Sequence, residues 1–262
     1  MIELGTCRWW LTDRVALDRE LVVARRPRDV VDVAGRWIAE ALGEHGFCWL
    51  VKTRTVHRQV GGVVQQVALQ AGSYNRVGGL ISISTHVAVR DPAVRTWRLA
   101  HPQVVAEPVD RDFVCGHLLG YASGRANGYV YGDAQDGDLD LTDPAQRVGH
   151  LGRFVAMVRE GVLSWFAEAS EPDSIVSSRA GDYTVDPVAV LEWLAYHGRF
   201  DLVHSYAERY RARRPGTERR WVDGAAAARE GRPCQHKGDS VWAMAWSATM
   251  LTTGAGDQRL SG

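Results

Sequence analysis

Lysine is almost absent from this chain of 262 residues, since Lys52 and Lys237 are the only two. Arginine supplies the other basic side chains, and with abundant alanine, valine and glycine this is typical of a GC-rich bacterial coding bias. The formal net charge is +0 at pH 7. No overall electrostatic field therefore favours nucleic acid or an anionic membrane as a partner.

Cysteine motifs and long apolar runs are also missing. The four cysteines are far apart, and no pair has the spacing of a zinc knuckle or a redox motif. The first residues lack the basic segment and apolar run of a signal peptide, and no stretch reaches the length of a membrane span. We therefore expect a cytoplasmic, reduced protein that uses no metal and no cofactor.

Signatures of catalysis are absent as well. The chain has no glycine-rich phosphate loop, no nucleophile elbow and no helix with paired zinc-binding histidines. The basic run Arg25 to Arg28 predicts a solvated linker rather than a phosphate site. The acidic segment Asp133 to Asp140 lacks the spacing of a calcium loop, and Cys234 and His236 are too close together for a usual zinc pair.

The chain does contain the alternation of half-buried strands. Between Leu80 and Arg90, every second residue is β-branched, and the residues between them are small or polar. The β-branched positions, which lie on one side of the strand, are Ile81, Ile83, Thr85, Val87 and Val89. The runs Trp49 to Val60 and Val63 to Gln70 come before this strand, with Gly61-Gly62 as a turn and Ala71 to Gly79 as a longer tip. These features predict a three-stranded antiparallel meander with one apolar face.

Before and after the meander in the sequence, apolar residues recur at helical spacing. This spacing predicts a helix from Asp29 to Glu44 and a long helix from Asp143 to Ala169. An αα-hairpin follows, with helices that start near Asp186 and Asp201. Shorter extended pieces are predicted at Leu21 to Ala24, Phe113 to Tyr121 and Tyr129 to Tyr131.

The fold class that follows is α+β. An antiparallel meander sheet carries helices on one face and is followed by a helical C-terminal portion. Residues 1–142 hold the first helix and the sheet, and residues 143–262 form the helical portion, within one continuous domain.

Several motifs occur together between about residues 29 and 200. They are Gly46-Phe47, Arg58, the run Val64 to Gln70, Tyr74-Asn75, Trp97 and Leu163 to Phe166. Together they resemble an uncharacterised bacterial family, domain of unknown function forty-three-zero-four. The first 27 residues and the part after Tyr210 lie outside this resemblance. The resemblance implies no activity, because the family carries none that could be transferred.

The candidate site is the polar face of the meander with its tip. Neutral amides and hydroxyls there could read a partner, and Arg58 could anchor an acidic group. The candidate residues are Arg58, Gln66, Gln70, Tyr74, Asn75, Ser82, Ser84 and His86. An antiparallel sheet can also simply present such a face to water.

Two functions are compatible with this sequence. The first is a non-catalytic module that binds a protein or peptide in a bacterial cytosolic system related to immunity or defence. The alternative is a hydrolase or transferase with a site between the sheet and the C-terminal helices, in which His86 or His117 works with an aspartate of residues 133–140. Substrate, partner and oligomeric state do not follow from the sequence.

Overall fold

The computed structural model describes residues 13–107, 111–125, 137–234 and 239–258. It confirms the predicted α+β class, with an antiparallel sheet and C-terminal helices. The chain divides into two compact units, one within residues 1–87 and 118–164 and the other within residues 88–117 and 165–262. Within the described ranges, each helix is too short or too polar to cross a membrane.

The elements are labelled in chain order. The strands are β1 (Cys48–Leu50), β2 (Thr55–Val60), β3 (Val63–Ala71), β4 (Ser82–Arg90), β5 (Phe113–Leu118) and β6 (Leu139–Asp140). The helices are α1 (Arg14–Val23), α2 (Pro27–Ala41), α3 (Pro92–Ala100), α4 (Leu119–Ala122), α5 (Arg147–Met157), α6 (Leu163–Ala169), α7 (Pro172–Ile175), α8 (Arg179–Asp182), α9 (Pro187–Tyr196), α10 (Phe200–Ala212), α11 (Glu218–Arg229) and α12 (Ser240–Gln258).

Helix α2 is the predicted first helix, and it begins two residues earlier than its predicted start at Asp29. Pro27 suits the first helical position because its missing N–H would have no partner inside the helix. The buried stripe includes Ala34, Trp37 and Ile38. A 3₁₀ turn follows α2 and ends at Gly46, whose φ of 82° a glycine adopts without strain.

The strands are hydrogen-bonded in the order β1-β2-β3-β4-β5, and β6 pairs with β4. β2 and β3 form an antiparallel hairpin whose turn is Gly61-Gly62, as predicted. The predicted strand from Trp49 to Val60 is two strands instead of one. A turn at residues 51–54 separates them, and Arg54 has a φ of 54° there.

The apolar side of the first unit's sheet is covered by a helix. Val56 lies opposite Val67 in the β2–β3 register, and both side chains are fully buried. Ile81, Ile83 and Val87 are buried as well. Because α2 contacts β1, β2 and β3, the predicted helix-covered face is confirmed for this unit.

Two predicted strands have different structures. Leu21 to Val23 form the end of α1 and Ala24 follows it, because Leu17 and Leu21 are both buried and lie four residues apart on one helical face. The strand predicted from Phe113 to Tyr121 ends at Leu118, and α4 begins at the next residue, Leu119. Residues 129–131 lie outside the described ranges.

The long helix predicted from Asp143 to Ala169 is interrupted. A π-helical segment at Val158–Val162 separates α5 from α6. Gly161 in this segment lies against the backbone of Ser123, and a Cβ on Gly161 would stand 2.8 Å from the Ser123 Cα. The glycine therefore permits a close approach of two backbones.

The second unit contains the predicted αα-hairpin. Asp186 caps α9 by accepting a hydrogen bond from the N–H of Ala189 at 3.2 Å, and Gly198, with a φ of 70°, lies between α9 and α10. Helix α12 contacts α9, α10 and α11. A hydrophobic cluster with Ala227, Ala228 and Trp246 joins α11 to α12.

A fully buried ion pair lies inside the second unit. Nε of Arg98 donates to Oε2 of Glu192 at 2.7 Å, and neither side chain has any exposed surface. The other guanidinium nitrogens of Arg98 donate to the carbonyl oxygens of Arg111, Phe113 and Ala189. Burial raises the pKa of Glu192, and the charges of Arg98 and Arg111 oppose this rise.

Candidate functional site

The predicted polar face is present on β3 and β4, although much of it is half-buried. Gln66 lies opposite His57 on the side of the hairpin that faces away from the Val56–Val67 pair. Gln66 is half-buried, whereas Gln70, farther along β3, is exposed. On β4 the half-buried positions are Ser82, Ser84 and His86.

Arg58 does not belong to this face. It lies opposite Gln65. Gln65 is two residues from Val67, so both side chains are on the buried side of β3. Its Nε donates to Oε1 of Gln65 at 2.7 Å, one NH group donates to the carbonyl oxygen of His45 at 2.9 Å, and the guanidinium lies 4.8 Å from the centre of the Phe47 ring. Burial lowers the pKa of Arg58. The prediction that Arg58 anchors a partner on the polar face is therefore wrong, because its donors serve the fold.

The loop between β3 and β4 is held in one conformation by Asn75. The side-chain amide of Asn75 donates to the carbonyl oxygen of Ser82 at 2.8 Å. Its Oδ1 accepts from the Ser82 N–H at 2.9 Å and from the Ser82 hydroxyl at 3.2 Å. The Gly72 N–H donates to the Ser82 carbonyl as well, at 3.0 Å. Asn75 and Ser82 thus organise the loop, and most of their polar atoms face each other.

This ordered loop exposes apolar side chains. Tyr74 is 83% exposed, Val77 is 64% exposed and Leu80 is 42% exposed. Arg76 is exposed too, and its side chain passes over Gly79, where a Cβ would stand 2.5 Å from the Arg76 Nε. We call residues 72–80 the tip loop. It presents aromatic, aliphatic and basic groups on a backbone that is already fixed.

Sequence reasoning identified Tyr74 and Asn75 but missed Val77 and Leu80. The signal that could have found them is the position of Val77 beside Gly78-Gly79, since a β-branched residue in a glycine-rich turn has few ways to become buried. The alternation in the sequence predicts that the strand begins at Leu80. In the structure β4 begins at Ser82, and Leu80 remains in the tip loop.

His86 has an acidic neighbour in the first unit. Burial lowers the pKa of His86, and the negative charge of Asp138 raises it by a smaller amount. Asp138 belongs to the segment that the alternative function requires. His117 is buried in the second unit, and residues 133–136 lie outside the described ranges.

A groove of about 490 Å³ lies beside β6 and α5. Its walls include Asp138, Asp140 and His150. Nδ1 of His150 is 2.5 Å from the backbone oxygen of Asp140, so Nδ1 donates to that carbonyl oxygen. The described residues that line this groove include neither His86 nor any serine, threonine or cysteine. The described lining therefore offers an imidazole and carboxylates without an adjacent nucleophile.

The cysteines do not form a reactive site in the part of the chain that is described. Cys115 and Cys234 are free, and burial raises the pKa of each thiol, to about 12 for Cys234. Cys48 is disulfide-bonded, so the prediction of reduced cysteines is wrong at this position. No three histidine, cysteine, aspartate or glutamate side chains among the described residues are grouped to hold a metal ion.

Comparisons with protein-family models, with curated proteins and with solved structures gave no match for this chain.

Proposed function

We propose that this chain is a non-catalytic module that binds a protein partner through the tip loop and the adjoining polar face of β3 and β4. The observation that carries the proposal is the combination of an exposed Tyr74 with a backbone that Asn75 already holds in place. Exposed apolar side chains on an ordered loop are a feature of binding surfaces.

The energetics of association favour such a loop. Binding normally costs free energy to order the interface, and a loop whose conformation is fixed by hydrogen bonds avoids much of that cost. Tyrosine and arginine are enriched among the residues that dominate binding energies. Tyr74 and Arg76 supply one of each, and Val77 and Leu80 add apolar area around them.

The chemistry of the loop defines the partner that it fits. Tyr74, Val77 and Leu80 require an apolar pocket that can enclose an aromatic ring. Arg76 forms no ion pair with any described residue, so a carboxylate at the rim of that pocket would complete the contact. The half-buried Ser84, His86 and Gln66 would supply hydrogen bonds at the edge of the contact.

The biological setting of the proposal rests on composition and analogy. A bacterial source is supported by the arginine-rich, lysine-poor composition. A cytoplasmic location, a role in defence or immunity and membership of the family named above are further parts of the same proposal. The disulfide at Cys48 argues for testing the location directly by cell fractionation.

The experiment is capture of the partner from a lysate of the source cells. A photo-crosslinking amino acid at position 74 should capture one partner, and an excess of the unlabelled wild-type chain should abolish this capture. An unlabelled competitor with Tyr74→Ala, Val77→Ser and Leu80→Ser should not abolish it, because its apolar contact area is removed. The control competitor is Val222→Ser, which should act like the wild type, since Val222 is 58% exposed on α11 of the second unit. Equal competition by the triple variant, or capture of no partner at all, would refute the proposal.

A hydrolase or transferase that uses His86 is the second candidate, and the charge of Asp138 beside His86 is the observation that favours it. A panel of ester, phosphoester and amide substrates would test it. Turnover that disappears in both His86→Asn and Asp138→Asn would replace the binding module with an enzyme.

A further inference from the structure

A second groove in the first unit, of about 340 Å³, combines three cationic side chains with an aromatic wall. It lies between the first turn of α2 and the turn at residues 51–54. The cations are Arg28, Lys52 and Arg54, and the aromatic wall is Trp49. We call this feature the basic groove.

The three cations of the basic groove lack internal partners. Across the described ranges, no carboxylate lies within 4.0 Å of a charged nitrogen of Arg28, Lys52 or Arg54. All three side chains are exposed, so they can close on a ligand without first breaking an ion pair. Two other arginines of this unit differ in this respect, since Arg36 pairs with Glu20 and Asp32, and Arg159 pairs with Glu44.

One of the two carboxylates in the groove already has partners. Oδ1 of Asp32 accepts a hydrogen bond from the indole N–H of Trp49 at 2.8 Å, and Oδ2 lies 3.3 Å from Nε of Arg36. Asp29 is the other carboxylate, and it is exposed. The groove thus holds three unpaired cations against one unpaired carboxylate, in a chain whose formal net charge is +0.

The backbone at Arg54 is held in a conformation that suits glycine better. Arg54 is the one non-glycine residue in the described structure with a positive φ, at 54°. Its carbonyl oxygen accepts from the N–H of Leu69 at 2.9 Å, which fixes the turn against β3. Glycine or asparagine would make the same turn at a lower conformational cost. The presence of arginine there is explained if its side chain serves the groove.

The aromatic wall is rigid. The Trp49 ring lies directly against the backbone of α2, where a Cβ on Gly35 would stand 2.5 Å from three ring atoms. The hydrogen bond to Asp32 fixes the rotation of the ring. A flat organic group can therefore stack on a preformed surface beside the cations.

From these observations we infer that the basic groove binds a small phosphorylated molecule with a planar group, such as a nucleoside monophosphate. The guanidinium groups of Arg28 and Arg54 would each donate two hydrogen bonds to phosphate oxygens. Lys52 would add a third positive charge, and Trp49 would contact the planar group. The volume of the groove lies within the range of small-ligand sites. This site is independent of the tip loop and of the partner proposed for it.

The test is calorimetric titration of the full chain with AMP at low ionic strength, with adenosine and inorganic phosphate as partial ligands. AMP should bind saturably and more tightly than either partial ligand. Lys52→Gln and Arg54→Asn should each weaken AMP binding about tenfold or more, as loss of a charge-assisted contact predicts. Asparagine tolerates the backbone conformation of Arg54, so the melting temperature of Arg54→Asn should be unchanged or higher.

The matched control is Arg219→Asn, because Arg219 is 93% exposed on α11 of the second unit. Its affinity for AMP should equal that of the wild type. The inference is overturned if neither AMP nor inorganic phosphate binds saturably, or if Arg54→Asn binds AMP as well as the wild type does. It is also overturned, in favour of nucleic acid, if a single-stranded oligonucleotide binds a hundredfold more tightly than AMP and depends on the same residues.

Discussion

Arg98 in the second unit and Arg54 in the first unit are both arginines, but Arg98 is buried and has internal partners whereas Arg54 is exposed and, among the described residues, unpaired. Arg98 has no exposed side-chain surface, and its guanidinium donates to one carboxylate and three carbonyl oxygens. Arg54 is exposed and has no carboxylate within 4.0 Å among the described residues. In an arginine-rich chain, residue type alone therefore does not identify a binding site. The presence or absence of internal partners is the better guide.

The strongest test of this comparison is Arg98→Met. The substitution leaves Glu192 buried without its partner, and removing one member of a buried ion pair typically costs about 3–5 kcal/mol. We expect a loss of this size in the free energy of unfolding, measured by urea denaturation with tryptophan fluorescence.

The double variant Arg98→Met with Glu192→Leu separates the cost of an unpaired charge from the loss of packing. It should recover part of the stability, because no charge of this pair remains buried while the carbonyl oxygens that Arg98 bonded stay unpaired. Arg219→Met is the control and should change stability by less than about 0.5 kcal/mol, as surface substitutions usually do. A loss below about 1 kcal/mol for Arg98→Met would mean that Glu192 finds another partner or becomes protonated at little cost.

Asn75→Ala tests a case between Arg98 and Arg54. Asn75 lies at the surface, as Arg54 does, but its side chain has hydrogen-bond partners, as that of Arg98 does. The variant removes three hydrogen bonds to Ser82, and we expect a loss of about 1–2 kcal/mol. Hydrogen exchange of the Ser82 amide should become faster, while that of the Val56 and Val67 amides should stay slow. Partner capture through Tyr74 should also weaken, because the loop must then be ordered on binding. Unchanged exchange at Ser82 would show that the glycine turns hold the tip loop without Asn75.

The sequence predicted the parts of the fold that depend on periodicity. The alternation from Ile81 to Val89 and the apolar stripe of α2 are repeated patterns. Each pattern puts its apolar residues on one face of only one kind of element, a strand or a helix. The same reasoning failed for Leu21 to Ala24, where four apolar residues in a row do not distinguish a strand from the end of a helix.

The candidate site was harder to predict because it depends on register. Arg58 would share the polar face if it lay opposite Gln66. The register pairs Arg58 with Gln65 instead, which places Arg58 on the buried side. The basic groove brings together Arg28 and Arg54, which lie 26 positions apart, and no local pattern links them. The break between β1 and β2 at Arg54 was also hidden, since nothing in the sequence there resembles a glycine turn.

The smallest expected effect concerns His86, which has one acidic neighbour and is half-buried. Burial holds the pKa of His86 below its ordinary value of 6.5, so the unfolded chain binds a proton more readily than the folded chain does. Stability that depends on neutral His86 is therefore fully present above about pH 6.5 and is lost as the pH falls towards the lower pKa of the folded state. His57, which is also half-buried with a lowered pKa, should act in the same direction.

Melting temperatures between pH 5 and pH 8 would measure this slope in the wild type, in His86→Gln and in His57→Gln. Each substitution should flatten the decline below pH 6.5 without removing it. Asp138→Asn should steepen the decline, because the negative charge of Asp138 is what raises the pKa of His86 against the effect of burial. A histidine resonance of residue 86 that titrates at or above pH 6.5 by NMR would contradict both expectations. It would mean that Asp138 outweighs burial, and His86 would then be a fully partnered group like Arg98.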